Sequence, residues 1–150
     1  MDPRDLAVRN ATYALFVQRG AAPTPGQVAE AVAGHAVEEV EEAWRRLHDA
    51  HALVLVDRDG PAELLMANPF AAQPTNFRVQ ADGRGWDANC AWDAFGVCAA
   101  LGVDGRIETS CPDCGDDLTV EVRDQRPVDD DLLFHCLVPA SRWWDNIAFT

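Results

Sequence analysis

Residues 89–101, Asn-Cys-Ala-Trp-Asp-Ala-Phe-Gly-Val-Cys-Ala-Ala-Leu, form the main helical pattern in the second half of the chain. Asn89 is a favourable N-cap residue, and Gly102 is a typical stop after an apolar helix. Cys90 would then lie in the first turn, where free backbone N–H groups and the helix dipole favour a thiolate. Asp93 follows three positions later and reaches the same small volume. The sequence therefore predicts a helix that holds a soft nucleophile beside a proton carrier.

Strand patterns flank this helix on both sides. Apolar runs bounded by turn residues predict strands at 77–80, 85–88, 106–109, 118–123 and 132–138. The second half of the chain is thus expected to form a small mixed or antiparallel sheet with one main helix. Because further helices are predicted before it, the expected fold class is α+β.

The first half of the chain has a different pattern. Amphipathic spacing predicts three helices, and the motif Thr24-Pro25-Gly26-Gln27 marks the start of the second one. A hairpin pattern follows over residues 53–66. This order is typical of a winged helix-turn-helix. A proline-broken connector then predicts a boundary between a winged-helix-like three-helix module, 1–67, and a second domain, 68–150.

The charge of the chain limits its partners. Of 150 residues, 25 are acidic and 12 are basic, for a net charge of −13, and every basic residue is an arginine. Nucleic acids and anionic membranes require a cationic footprint, so neither is expected as a partner. The predicted third helix carries five carboxylates, which makes a DNA-reading regulator the least favoured interpretation and a scaffold the favoured one.

The compartment is inferred from the termini, the hydropathy and the cysteines. Apolar runs fall short of the roughly 20 residues that span a bilayer, and the first residues are acidic, unlike a signal peptide. We therefore expect a cytoplasmic protein. Five cysteines in a reducing compartment indicate metal binding or catalysis rather than a disulfide framework.

Four cysteines besides Cys90 have separate interpretations. Cys111 and Cys114, in Cys-Pro-Asp-Cys-Gly, form a knuckle that is typical of half a zinc ribbon, so a soft metal such as zinc or copper is a candidate ligand. A second Cys-x-x-Cys is missing from the sequence, and a reduced turn with two free thiols is the alternative. Cys98 is predicted to pack in the core, and so is Cys136, in mid-strand with His135 on the opposite face.

Residues 68–96 resemble the alkylmercury (organomercurial) lyases. The resemblance rests on Pro69-Phe70, on Pro74-Thr75 with Val79, and on Cys90-Ala91-Trp92-Asp93. It continues through 107–115 and into the Trp-Trp-Asp-Asn-Ile segment at 143–147.

The resemblance implies a carbon–mercury lyase that requires no cofactor. Cys90 would bind mercury, Asp93 would handle the proton, and Trp92 is expected in the wall of the site because it lies between them. Mercury would be held as substrate and product, and the partners would be a small organometal and small thiols.

In those lyases a second cysteine follows the segment that corresponds to 143–150, directly after Thr150. The sequence ends at Thr150, so carbon–mercury cleavage is expected to be impaired where that thiol is missing. The alternative function is a thiol-based protein that binds mercury, copper or zinc without turnover.

Overall fold

The structure, a computed structural model, describes residues 1–129, 131–134, 136 and 138–147. Three helices come first, a small antiparallel sheet follows, and a larger antiparallel sheet with one main helix comes last. The predicted α+β fold class is therefore confirmed.

The three N-terminal helices are α1 (Pro3–Arg19), α2 (Pro25–Ala31) and α3 (Val37–Asp49). The predicted start of α2 is confirmed, since Gln27 N donates to Thr24 Oγ1 at 3.3 Å and Thr24 N donates to Gln27 Oε1 at 2.9 Å. Buried apolar side chains at helical spacing join the three helices, and Trp44 of α3 donates its indole N–H to Thr12 of α1.

The first sheet contains β1 (Val54–Leu55), β2 (Leu64–Ala67) and β3 (Phe70–Ala71), all antiparallel. The predicted hairpin is the pair β1–β2. Strand β3 adds a third member and lies beyond the predicted boundary after residue 67, so the division into 1–67 and 68–150 stays a proposal.

The second sheet has the order β5-β4-β6-β7-β8, and every neighbouring pair is antiparallel. Its strands are β4 (Arg78–Ala81), β5 (Arg84–Asp87), β6 (Gly105–Ser110), β7 (Asp117–Arg123) and β8 (Arg126–Pro127). The main helix α4 (Ala91–Leu101) packs on this sheet through Ala94, Val97 and Cys98, so the prediction that Cys98 lies in the core is confirmed.

Two apolar clusters make up the core, and α1 belongs to both. Val8 packs with α2, α3 and the first sheet, whereas Phe16 packs with the second sheet and α4. Phe16 also stacks on Phe70 with ring centroids 5.3 Å apart, and the Trp86 indole N–H donates to the Val17 carbonyl. The N-terminal module is thus joined to the layer that carries α4.

The predicted strand at 132–138 was wrong for the residues that the structure describes there. Residues 132–134, 136 and 138 lie outside any strand, and 135 and 137, including His135, lie outside the described residues. The last paired strand is the two-residue β8, where Pro127 has no N–H to donate to a ladder. The described residues between β8 and the 3₁₀ helix at Ala140–Asp145 are coil instead.

Candidate functional site

The start of α4 differs from the predicted one by one residue. Cys90 is the N-cap, with extended backbone angles of φ −155° and ψ 179°, whereas Asn89 was expected in that position. The side chain of Asn89 is used elsewhere, because its Nδ2 donates to Asp93 Oδ2 at 3.1 Å. Asn89 therefore orients the carboxyl group of Asp93, and the start of α4 has no side-chain cap.

Cys90 and Asp93 are in contact, as their spacing predicted. The Cys90 thiol donates to Asp93 Oδ2 at 3.7 Å, and both residues are partly buried. One carboxylate oxygen thus accepts both the thiol and the Asn89 amide. A proton on sulfur has a direct path to a carboxylate.

Burial sets the protonation of this pair. It raises the pKa of the Cys90 thiol, and the neighbouring carboxylate of Asp93 adds to the effect. The backbone N–H groups of Asp93 and Trp92 at the helix start lower the pKa of the thiol, as expected, but burial outweighs them. Burial also raises the pKa of Asp93, although hydrogen bonds from Asn89 and Cys90 oppose that rise.

Tyr13 is a site neighbour that sequence reasoning missed. Its hydroxyl lies 3.1 Å from the carbonyl oxygens of Ala52 and Asn68, and burial raises its pKa, with a smaller contribution from the charge of Asp93. The charge of Asp93 on α4 thus acts on the phenol of α1. The sequence carries no signal of this interaction, because 80 positions separate the two residues.

Cys90 opens on an apolar cavity of about 520 Å³. The lining comes from the start of α4, from β6 and β7, and from the coil after β8; among it are Phe77, Phe95, Val120, Leu132, Phe134 and Trp143. Such a lining suits a ligand with an apolar group.

Trp92 lies beside this cavity rather than in its lining. Its side chain is 59% exposed, and its ring packs against Phe134 at 6.4 Å and edge-on to Trp143 at 6.2 Å, measured between centroids. The two partner rings do line the cavity. A role of Trp92 in the site would therefore be to hold these rings in place.

Cys136 is the second thiol that lines the cavity, and the prediction that it lies in the core was wrong. It is exposed, and its thiol donates to the Val138 carbonyl at 3.0 Å. The coil that replaces the predicted strand lets its side chain face the same space as Cys90. A continuous apolar sequence gives no indication of this arrangement.

Cys111 and Cys114 lie in the turn between β6 and β7. Backbone N–H groups of Cys114 and Asp113 lower the pKa of the Cys111 thiol, whereas the interactions with Asp116 and Cys111 raise the pKa of Cys114 on balance. Within the described ranges, no group of three or more His, Cys, Asp or Glu side chains is placed to hold a metal ion. A closed four-ligand zinc site is therefore not assembled from these residues.

A second, more polar hollow of about 620 Å³ lies on the arginine-rich face of the large sheet, away from Cys90. Three of its arginines form ion pairs: Arg78 with Asp87, Arg106 with Glu108, and Arg123 with Glu121. Their positive charge is largely neutralised, so the cavity at Cys90 is the stronger candidate site.

In the part of the chain that the structure describes, every helix is too short or too polar to cross a bilayer.

Comparison with known proteins gives evidence that is independent of this geometry. Among solved structures, the crystal structure of the mercury-bound form of MerB2 matches with a TM-score of 0.62 at 18% sequence identity, which shows a shared fold. The match covers 86% of this chain and 60% of that chain, so the present sequence spans about three fifths of its length. No curated protein matches.

The family comparison covers the segment that holds the Cys90–Asp93 pair and the cavity around it. The model of the family described as alkylmercury lyase, MerB, matches residues 70–150, more than half of the sequence. The predicted resemblance is thereby confirmed, and the chain belongs to the alkylmercury lyase family.

Proposed function

We propose that this protein cleaves carbon–mercury bonds, with Cys90 as the nucleophile and mercury ligand and Asp93 as the proton carrier. The observation that carries the proposal is the 3.7 Å contact between Cys90 Sγ and Asp93 Oδ2 at the edge of an apolar cavity. Membership of the alkylmercury lyase family supports it.

The first step is capture of the substrate by sulfur. Asp93 accepts the thiol proton, and the Cys90 thiolate binds mercury while a thiolate or halide leaves the metal. Hg(II) is a soft cation that prefers sulfur to oxygen, so the carboxylate does not compete for it. The apolar lining holds the organic group of the substrate and keeps water away.

The second step is protonation of carbon. The electron pair of the carbon–mercury bond forms a new carbon–hydrogen bond with the proton of Asp93, and a hydrocarbon leaves. A raised pKa of Asp93 suits this role, because the carboxyl group keeps the proton until carbon takes it. Asn89 holds the carboxyl oxygen beside the reacting atoms.

A second sulfur must stabilise the Hg(II) that remains on Cys90, and its thiol proton goes to the Asp93 carboxylate that the preceding step leaves. We infer that Cys136 is a candidate within this chain, because it lines the same cavity as Cys90. A small thiol is the other candidate, and it also removes the product. Either sulfur completes a two-coordinate mercury dithiolate without a change in oxidation state.

The N-terminal module, 1–67, is proposed to act as a scaffold for this site. Support comes from the Tyr13 hydroxyl on the Asn68 carbonyl, from Phe16 in the core cluster that includes α4, and from the Trp86 hydrogen bond to α1. The acidic surface of α3 disfavours DNA as its ligand.

The test measures hydrocarbon released from an alkyl- or arylmercury compound in the presence of excess small thiol. We expect release by the wild type, none above background by Cys90→Ser, and a loss on the order of 10²–10⁴-fold by Asp93→Asn. The control is Cys98→Ala, which removes a core thiol outside the cavity and should keep the activity. Equal release by wild type and Cys90→Ser would refute the proposal.

The same assay separates the second candidate function, soft-metal binding without turnover. The observation that favours it is the pair of accessible thiols in one turn, Cys111 partly exposed and Cys114 exposed. Stable retention of mercury with no hydrocarbon from the wild type would support binding alone.

A further inference from the structure

The turn between β6 and β7 is closed by its own backbone. Cys111 N donates to Asp116 O at 2.8 Å, and Gly115 N donates to Cys111 O at 2.9 Å. Gly115 has a φ of +78°, in the left-handed region that glycine adopts without strain. The turn geometry is therefore set without a metal ion.

This backbone places two thiols together at the surface. Cys111 and Cys114 lie three positions apart within this closed turn, and the backbone N–H groups of Cys114 and Asp113, together with the Cys114 thiol, lower the pKa of the Cys111 thiol. Cys111 is partly exposed and Cys114 is exposed. The pair is thus preorganised and accessible to an incoming ion.

The number of available ligands selects the kind of ion. Among the described residues no third His, Cys, Asp or Glu side chain completes a site with this pair. Zinc takes four protein ligands in a structural site, whereas Hg(II) is satisfied by two thiolates. A site of two thiols therefore favours a soft ion of low coordination number.

We propose that Cys111 and Cys114 form a second mercury site, separate from Cys90, that holds Hg(II) as a two-coordinate dithiolate. The site adjoins the cavity of Cys90, because Pro112, between the two cysteines, is part of the cavity lining. It extends beyond the proposed lyase function, since binding of inorganic Hg(II) requires no cleavage of a carbon–mercury bond.

Loading of the site is a ligand exchange. Two sulfur–mercury bonds to small thiols break, and two bonds to Cys111 and Cys114 form. The two protons of the cysteine thiols go to the departing thiolates. Mercury stays Hg(II) throughout, so no oxidant or reductant is needed.

The experiment uses the full chain with Cys90→Ser and Cys136→Ser, which removes both cavity thiols. Mercuric chloride is added with an excess of a monothiol, and retained mercury is measured by native mass spectrometry and by the ultraviolet mercury–thiolate absorption. We expect one mercury ion per chain to be retained. Added Cys111→Ser or Cys114→Ser should weaken retention on the order of 100-fold, because the second bond is no longer intramolecular.

A matched control is Asp113→Asn, which changes the turn without removing a thiol and should retain mercury. Circular dichroism confirms that each variant is folded. Undiminished retention in both Cys111→Ser and Cys114→Ser would overturn the proposal, and so would displacement of mercury by excess Zn(II). Because Cys90 is absent throughout, failure of this site is distinguishable from failure of the proposed lyase reaction.

Discussion

At the scale of single residues, a thiol and a carboxyl group are joined by a hydrogen bond. Burial raises the pKa of both Cys90 and Asp93, so the pair resists carrying two negative charges. The free site therefore keeps a proton available for the carbon that must leave mercury. Asn89 is the neighbour that limits how far the pKa of Asp93 rises.

Asn89→Ala should shift the acid limb of the pH–rate profile of hydrocarbon release to higher pH. The Asn89 amide stabilises the charged carboxylate and lowers the pKa of Asp93, so its removal raises that pKa further. At a given acidic pH a smaller fraction of Asp93 is then ionised and able to accept the thiol proton. The profile of kcat/KM against pH measures the shift. Gln80→Ala, which removes an amide on the sheet, is the control, and an acid limb that does not move contradicts the prediction.

The ion pair of Asp5 and Arg46 should make stability depend on acid pH. Arg46 donates to the Asp5 carboxylate at 2.7 and 3.0 Å and lowers the pKa of Asp5. A lowered folded pKa contributes stability that is complete above the unfolded value of about 4 and is lost as pH falls through the folded value. Because Arg46 is half exposed, we expect Asp5→Asn to cost about 1 kcal/mol at neutral pH.

Urea denaturation of the wild type and Asp5→Asn at neutral and acidic pH measures this difference. The gap in the free energy of unfolding should narrow as pH falls below about 4, because the wild-type carboxylate becomes protonated. A gap of the same size at both pH values would contradict the assignment.

At the scale of elements, two helices end on glycines that differ in their surroundings. Gly20 ends α1 with φ +69°, and a Cβ there would lie 2.7 Å from the Gly85 carbonyl oxygen in the second sheet. Gly102 ends α4 with φ +64°, and a Cβ there would meet no described atom within 4 Å. Only the first helix end is in close contact with a neighbouring strand.

Gly20→Ala should therefore destabilise the protein more than Gly102→Ala. Both variants place an L side chain at positive φ, which costs about 1–2 kcal/mol, and Gly20→Ala adds a clash worth about 1–3 kcal/mol. The free energy of unfolding in urea measures both. Equal decreases in the free energy of unfolding of the two variants would show that α1 can shift away from the sheet without an energetic penalty.

At the scale of the whole molecule, the cavity is built from distant parts of the chain. The start of α4 supplies Cys90, the large sheet supplies Val120, and the coil after β8 supplies Phe134 and Cys136. The 3₁₀ helix that follows this coil stacks Trp144 on His51, with centroids 4.0 Å apart, and so ties the cavity wall to the N-terminal half.

Cys136→Ser should weaken retention of product mercury when no small thiol is added. In a Cys114→Ser background, which removes the other candidate site, the second sulfur for Hg(II) on Cys90 would come from Cys136. Its loss is expected to lower retained mercury on the order of tenfold or more, and added thiol should restore turnover. Native mass spectrometry after a single turnover measures retention. Unchanged retention relative to the Cys98→Ala control would exclude Cys136 as a ligand.

Local patterns in the sequence determined the three N-terminal helices, the end of α4 at Gly102 and the contact of Cys90 with Asp93. The reason is that helical spacing of three residues brings two side chains together whatever the rest of the fold. The Thr24 capping box was predictable for the same reason, since all of its atoms lie within one turn. The resemblance to alkylmercury lyases also came from short local motifs.

Only the tertiary structure decided which distant groups form the surroundings of that pair. Tyr13 comes from α1, and Cys136 comes from a coil that the apolar sequence had predicted to be a strand. A mostly apolar segment can form either a buried strand or the wall of a cavity, and tertiary packing decides which of the two forms. The raised pKa of Cys90 likewise depends on burial by distant residues, which outweighs the local effect of the helix start.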